Sequence, residues 1–203
     1  MEKGILISIE GIDGCGKTTL AQNLKLNFEE KKQEILLTQE PGGTSLGKKL
    51  RAILHEEKDL TCDLSEYLLF AADRAQHFKQ IIISALKENK IVISDRLSDS
   101  SLAYQGYGRG LDIEMIKKTN KWAMQNIEPD FIIYVKIDTQ TALQRIGKRN
   151  EKLTSFEKEK IDFWNKVIKG YEEIFKNKKN VIIVDGNLPP DILAKQTCEK
   201  LNN

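Results

Sequence analysis

The sequence predicts a three-layer doubly wound α/β fold on a parallel five-stranded sheet, and three observations carry that expectation. Five short runs rich in Ile, Val and Leu are mostly continuous rather than alternating, as in strands covered on both faces. Longer stretches with apolar residues three and four apart lie between them. The two patterns alternate along the chain, and right-handed crossovers then place helices on both sides of one sheet. The full length of 203 residues suits a single domain spanning residues 1–203, with room for a small insert.

Taken in order, the first strand covers Ile5 to Ile9, with Glu10 at its end. A helix over Thr18 to Glu30 follows, then a second strand over Glu34 to Thr38. Glu40 to Ser45 reads as an ordered loop. Leu64, Leu68, Ala71, Ala75, Phe78, Ile82 and Ala85 mark the inner stripe of a long helix. Strand Ile91 to Ser94 leads into Asp95 to Leu111, which reads as a long loop because it carries Gly106, Gly108 and Gly110. After strand Phe131 to Ile137 a helix starts at Thr139, and if it continues through Arg145 and Arg149 the two share a face. The polar segment Lys148 to Glu157 is a candidate lid. Ile161, Trp164, Ile168, Tyr171 and Phe175 define another amphipathic helix, and Val181 to Val184 the last strand. In this architecture ligands bind beyond the carboxyl ends of the strands, so functional residues should follow strands.

Charge narrows the partners. Thirty-two basic and 30 acidic side chains leave a formal +2, which gives no global attraction to nucleic acid or to an anionic membrane. No apolar run is long enough to span a bilayer. Met1-Glu2-Lys3-Gly4 lacks the features of a secretion signal, and Cys15, Cys62 and Cys198 form neither a zinc spacing nor a disulfide framework. A cytoplasmic protein is expected.

The strongest motif is Gly11-Ile12-Asp13-Gly14-Cys15-Gly16-Lys17-Thr18, which fits G-x-x-x-x-G-K-T between a strand and a helix. Glycines let backbone amides converge on phosphate oxygens, and the helix N-terminus adds positive partial charge. Lys17 is placed to reach the β and γ phosphates of a nucleoside triphosphate, and the Thr18 hydroxyl to ligate Mg²⁺. Cys15 reads as a small residue that fits, the alternative being a thiol activated by the amides and Lys17. No Asn-Lys pair is followed two residues on by Asp, so a GTPase base-reading motif is missing. Asp95, after the third strand, is a second candidate Mg²⁺ partner through water, and Arg96 beside it can grip a phosphate bidentately. Phe70 and Arg74 share a helix face. On periodicity alone a core Phe and a snorkelling Arg are the favoured reading over a base-stacking pair.

Four stretches together are similar to the bacterial thymidylate kinase family. They are Gly11 to Thr19, Glu40-Pro41-Gly42-Gly43-Thr44, Phe70-Ala71-Ala72-Asp73-Arg74, and Asp95-Arg96 through Ser100-Ser101-Leu102-Ala103-Tyr104-Gln105-Gly106. The resemblance implies a P-loop nucleotide kinase fold with a short lid over about residues 148–157. It implies transfer of the γ-phosphoryl of ATP to thymidine monophosphate (dTMP), giving the diphosphate for dTTP and DNA synthesis. It also implies Mg²⁺ and a homodimer, with neither nucleic acid nor membrane as partner. Residue by residue, Gly11, Asp13, Gly14, Cys15, Gly16, Lys17, Thr18 and Thr19 would hold the ATP phosphates. Thr18, Asp95 and Asp13 would serve the metal, and Asp13 and Glu40 the acceptor sugar and phosphate. Arg51 and Arg96 would bind the acceptor phosphate, Phe70 would stack on thymine and Arg74 would bond its carbonyl. Ser101 and Gln105 would meet the base edge, Tyr104 would crowd the sugar 2′ position, and Asp185-Gly186-Asn187 would frame adenine.

Three departures stand out: Gln39 before Glu40, Leu97 after Arg96, and Thr154-Ser155 where relatives often have Asp-Arg. The cation on the transferred phosphoryl is therefore expected from Arg149 or Arg145, with Lys148 a further candidate, alongside Lys17 and Arg96. Two rivals remain at this point: a deoxynucleoside kinase, with a carboxylate base near Asp95 and no need of Arg51, and a P-loop regulator with no base pocket.

Overall fold

The apolar runs are continuous because successive side chains enter different cores. The computed structural model describes residues 4–56, 62–148 and 152–201. Among these, β1 (Ile5–Glu10), β2 (Ile35–Gln39), β3 (Ile91–Asp95), β4 (Phe131–Lys136) and β5 (Val181–Asp185) form one all-parallel sheet. The strand order is β2-β3-β1-β4-β5. Ile7 and Ile9 of β1 and Ile91 and Ile93 of β3 join one core. That core takes in α1 (Lys17–Glu30), α8 (Ile161–Phe175) and α9 (Pro190–Leu201). The intervening Leu6 and Val92 join the opposite core with Phe78, Ile82 and Ala85. Each such side chain fully buried contributes about 1.5–3 kcal/mol.

The register puts the site at one edge. Ile5 pairs with Ile91 and Ile9 with Asp95, so β1 and β3 end side by side. The loop after β1 thereby meets Asp95 and Arg96 directly. Expected and observed strands agree within a residue or so at each end.

Three expectations need correction. The stretch Asp95 to Leu111 is largely helical: α5 (Ser98–Ser101) runs into a π-helical turn, Leu102–Gly108. Gly106 and Gly108 serve close packing rather than a loop, whereas Gly110, φ 83°, has open space around it. A Cβ on Gly108 would lie 2.6 Å from the Phe163 ring of α8, and one on Gly170 of α8 would lie 2.7 Å from Tyr107 Cβ. The second correction concerns α3 (Asp63–His77), which continues through a π-helical turn (Phe78–Ile82) into α4 (Ile83–Lys87). Leu64 and Leu68 are 46% and 49% exposed, and Ala75 is exposed, whereas Glu66, Tyr67, Asp73, Arg74 and His77 are buried. Polar partners supplied from other elements override the hydrophobic stripe there. Third, α7 is Thr139–Gly147, with Lys148 in a turn after it. Arg149 lies outside the described residues, as does part of the candidate lid. The described lid residues from Lys152 onward are irregular up to α8. The remaining helices are α2 (Ser45–Glu56) and α6 (Ile113–Ala123). Among the described residues no helix is long and apolar enough to cross a membrane.

Candidate active site

At the end of β1 the chain turns through Gly11, φ 144°, where a Cβ would sit 2.7 Å from the Val135 carbonyl oxygen. Gly16, φ 100°, precedes α1 in the left-handed conformation that glycine adopts freely. Lys17 begins α1, and its Nζ donates to the Ile12 carbonyl at 2.9 Å and lies 4.0 Å from Asp13 Oδ1. Thr18 Oγ1 donates to Asp95 Oδ2 at 2.5 Å. Cys15 is buried, and burial pushes its thiol up despite Lys17 nearby, which fits a small packing residue rather than an activated nucleophile.

Arg96 follows β3 with φ 72°, a left-handed conformation fixed by what its side chain reaches. Nη1 donates to Gly11 O at 2.9 Å and Ser100 Oγ at 3.0 Å, and Nη2 to Asp13 Oδ1 and to Tyr104 OH at 3.1 Å. Burial alone would raise the Asp13 carboxyl, but the Arg96 and Lys17 charges overcome it and hold it at about 2. Beneath lies a residue the sequence reading passed over. Glu10 Oε1 accepts from Leu97 N at 2.8 Å and Ser8 Oγ at 2.7 Å, and Oε2 from Ser100 Oγ at 2.6 Å. Desolvation foremost, with Asp99 adding to it, raises Glu10 to about 7.

The described residues contain no group of three or more His, Cys, Asp or Glu side chains able to hold a metal alone. The touching Thr18 hydroxyl and Asp95 carboxylate are hard oxygen donors. Such a pair fits Mg²⁺, which takes most of its ligands from phosphates and water. Asp13 is engaged by Arg96 and Tyr104 instead.

On the other side of Arg96, β2 delivers Glu40 into the loop before α2. Glu40 is buried, with Oε2 2.9 Å from Arg74 Nε and Oε1 3.0 Å from His77 Nδ1. Arg74, 1% exposed, also donates from Nη1 to Asn120 Oδ1 at 2.7 Å and from Nη2 to Ser101 Oγ at 3.1 Å. Gln105 Nε2 donates to Glu66 Oε1 at 2.8 Å, and Arg51 Nη1 to the Pro41 carbonyl at 2.9 Å. Phe70 meets Phe156 with ring centroids 5.9 Å apart, and Phe156 also packs edge-on to Tyr104. The neighbouring Ser155 Oγ donates to Leu54 O of α2 at 2.7 Å, so this part of the lid is docked rather than free. His55 lines the same space, its imidazole lowered to about 4 by burial and then by the Arg51 charge.

Lys17, Thr18, Glu40, Arg51, Phe70, Arg74, Asp95, Arg96, Tyr104 and Gln105 border one cavity of about 810 Å³, while Glu10, His77 and Asn120 support it without lining it. Of the expected site residues that are described, Gly11, Lys148, Asp185 and Asn187 do not line it; the Gly11 carbonyl lies under Arg96, and Asp185 and Asn187 border a separate cavity. Arg145 stands at the far end, its Nη1 donating to Gly186 O at 2.9 Å. Glu10, His55, Asp73, His77, Asn120 and Phe156 are the participants missed from sequence. A signal existed for His77, which lies four residues after Asp73 and three after Arg74 on one helix face.

Comparisons with known proteins agree on one family. A family model described as "Thymidylate kinase" matches residues 9–197. A thymidylate kinase of Thermoanaerobacter sp. (strain X514) is 43% identical over 185 residues, spanning 91% of this chain and 90% of its own. One from Bacillus mycoides (strain KBAB4) is 36% identical over 200 residues, spanning 97% and 96%. The crystal structure of thymidylate kinase from Ehrlichia chaffeensis superposes with a TM-score of 0.82 at 29% identity, over 98% of this chain and 99% of that one.

Proposed function

The chain belongs to the thymidylate kinase family, nucleoside monophosphate kinases that phosphorylate dTMP with ATP, and we propose that it does so with the side chains gathered in this cavity. The observation that carries the assignment is the position of Arg96. It stands between the phosphate loop, through Gly11 and Asp13, and the buried Arg74–Ser101 pocket, through Ser100 and Tyr104. A donor phosphate over Lys17 and an acceptor phosphate at Arg96 and Arg51 then share one space. An acceptor phosphate oxygen attacks the γ-phosphorus, the bond to the bridging oxygen breaks, and ADP leaves. No side chain need become a nucleophile. The protein's work is to orient two mutually repelling anions and neutralise their charge.

Phe70 stacks on thymine, and Arg74 uses its second Nη1 N–H to bond a base carbonyl, its Nη2 donors being taken and its Nε facing Glu40. Ser101 and Gln105 border the base edge, and Tyr104 crowds the sugar. Thr18 and Asp95 would hold Mg²⁺ together with the phosphates, and the ion would supply charge neutralisation there. Arg145, held at the Gly186 carbonyl, supports contact with the donor base more than with the transferred group, which leaves Arg149, with Lys148 beside it, to supply the cation for that group. The chain works as one domain with residues 148–157 as lid, in the cytoplasm. As a homodimer it covers the exposed Leu64 and Leu68, one turn apart on α3. Light scattering of the purified protein tests that assembly.

The decisive experiment is a coupled assay of ADP formation with dTMP, dUMP, dCMP and thymidine as acceptors, with Mg²⁺ and with a chelator. Turnover should require Mg²⁺ and favour dTMP. The thymine methyl is worth only about 1–3 kcal/mol, so discrimination against dUMP should be modest. Rejection of dCMP should be firmer, since its amino group cannot accept from Arg74. Equal rates on dCMP, or faster turnover of thymidine than of dTMP, would remove the assignment.

A further inference from the structure

We propose that His77 is the positioning residue for thymine recognition, acting through Glu40 on Arg74 by donating its Nδ1–H to the Glu40 carboxylate. The inference rests on the thymine reading of the pocket. Arg74 is the side chain that would read a base carbonyl, so its orientation decides selectivity. Two of its ends are tied, to Asn120 and to Ser101 with the Leu97 carbonyl. The third end differs. Arg74 Nε and Glu40 Oε2 lie 2.9 Å apart, yet neither atom has a hydrogen bond aligned on it. They meet as charges, an attraction with little directional preference. Direction has to come from the other carboxylate oxygen, and there His77 Nδ1 stands 3.0 Å from Oε1.

His77 is itself fixed on every side. It is fully buried, and its Nε2 lies 2.7 Å from the Thr38 hydroxyl on β2. The Gly43 backbone closes over the ring, where a Cβ would come within 2.7 Å of Nε2 and Cδ2. One turn earlier on the same helix, Asp73 Oδ1 accepts from Gly42 N at 3.2 Å. Asp73 and His77 therefore hold the 40–44 loop from beneath, and only His77 reaches Glu40. A carboxylate cannot donate, so the imidazole must carry a proton on Nδ1, and Nε2 pairs with the Thr38 hydroxyl, which can donate or accept. A ring bonded at both nitrogens cannot rotate without breaking both contacts.

Two substitutions separate the two ring nitrogens. An Asn amide nitrogen takes the place of Nδ1, and a Gln amide nitrogen the place of Nε2. His77→Gln should raise the KM for dTMP about tenfold or more, the effect of one hydrogen bond to a charged group. It should narrow the preference for dTMP over dCMP and leave the KM for ATP unchanged. His77→Asn should stay close to wild type in all three. The unmodified protein gives a test that no folding defect can confound. It has two histidines, and ¹⁵N–¹H correlation across each ring should show His77 protonated at Nδ1. An Nε2–H tautomer, equal effects of Asn and Gln on the KM for dTMP, or a parallel rise in the KM for ATP would overturn the proposal. If the wild type prefers dTMP while any of these holds, the proposal alone fails. Without that preference in the wild type, the pocket reading and the proposal fall together.

Discussion

Glu10→Gln should abolish a fall in stability with rising pH that the wild type shows. Glu10 is fully buried at the end of β1, in contact with Ser8, Leu97 N, Ser100 and Tyr171, with Asp99 and Arg96 nearby. Desolvation, then Asp99, raise its carboxyl from 4.5 to about 7 against the opposing hydrogen bonds and Arg96. Between those values the folded protein keeps a proton that the unfolded chain releases. Stability from this source is therefore greatest below 4.5 and is lost as pH rises through about 7. The shift amounts to about 3 kcal/mol in all, of which about 2–3 kcal/mol falls between about pH 5 and pH 8. Asp73, raised to about 6 by burial and Glu40, adds a change of the same sign. His55, lowered to about 4 by burial and Arg51, adds one of opposite sign. Urea unfolding of wild type and variant at matched pH cancels both contributions, and the difference between the two proteins isolates Glu10. Gln can keep the Ser100 and Tyr171 hydroxyls as partners by letting them accept. A difference that stays flat within about 0.5 kcal/mol, or rises with pH, would refute the reasoning.

Other consequences are as direct. Lys17→Met should lower kcat at least about a thousandfold with an unchanged melting temperature, because Lys17 Nζ is bonded only to the loop it serves. Near wild-type turnover would remove the phosphate-loop assignment. Arg145→Ala should raise the KM for ATP more than it lowers kcat, since its guanidinium is held at the Gly186 carbonyl, and a pure kcat effect would return it to the transferred phosphoryl. A maleimide under native conditions should label Cys62 alone. Cys62 is exposed with its thiol lowered by Ser65, whereas Cys15 and Cys198 are buried and raised, and mass spectrometry of early modification of Cys15 would contradict this.

The legible part of the molecule was the part written locally. The phosphate loop needs only a strand, a run of glycines and a helix start within eight residues, and all are adjacent in the chain. The strands were legible because each is an unbroken β-branched or Leu-rich run. What escaped depends on partners far away. Gly106 and Gly108 read as loop breakers, but each is small because a helix presses on it, Ile113 of α6 against Gly106 and Phe163 of α8 against Gly108. Leu64 and Leu68 satisfied the helical period and still face outward. Their helix instead turns inward the polar set Asp73, Arg74 and His77, whose partners Gly42, Glu40 and Thr38 come from an element more than thirty residues earlier. Glu10 read only as the residue that ends the first strand. Only the closure of Leu97 and Ser100 over it makes it a buried acid.

The strand order has a consequence for how the chain is made. β1 leaves the ribosome first, yet both its sheet neighbours come late: Ile5 pairs with Ile91 and Ile7 with Phe131. At about 5–20 residues per second, β4 follows β1 by roughly 6–25 seconds. For that interval the strand that carries the phosphate loop has no ladder partner on the β4 side, and for much of it none at all. Ile5-Leu6-Ile7-Ser8-Ile9 is by composition a sticky segment. The nascent chain must therefore shelter this apolar segment while more than half of its 203 residues are still being added.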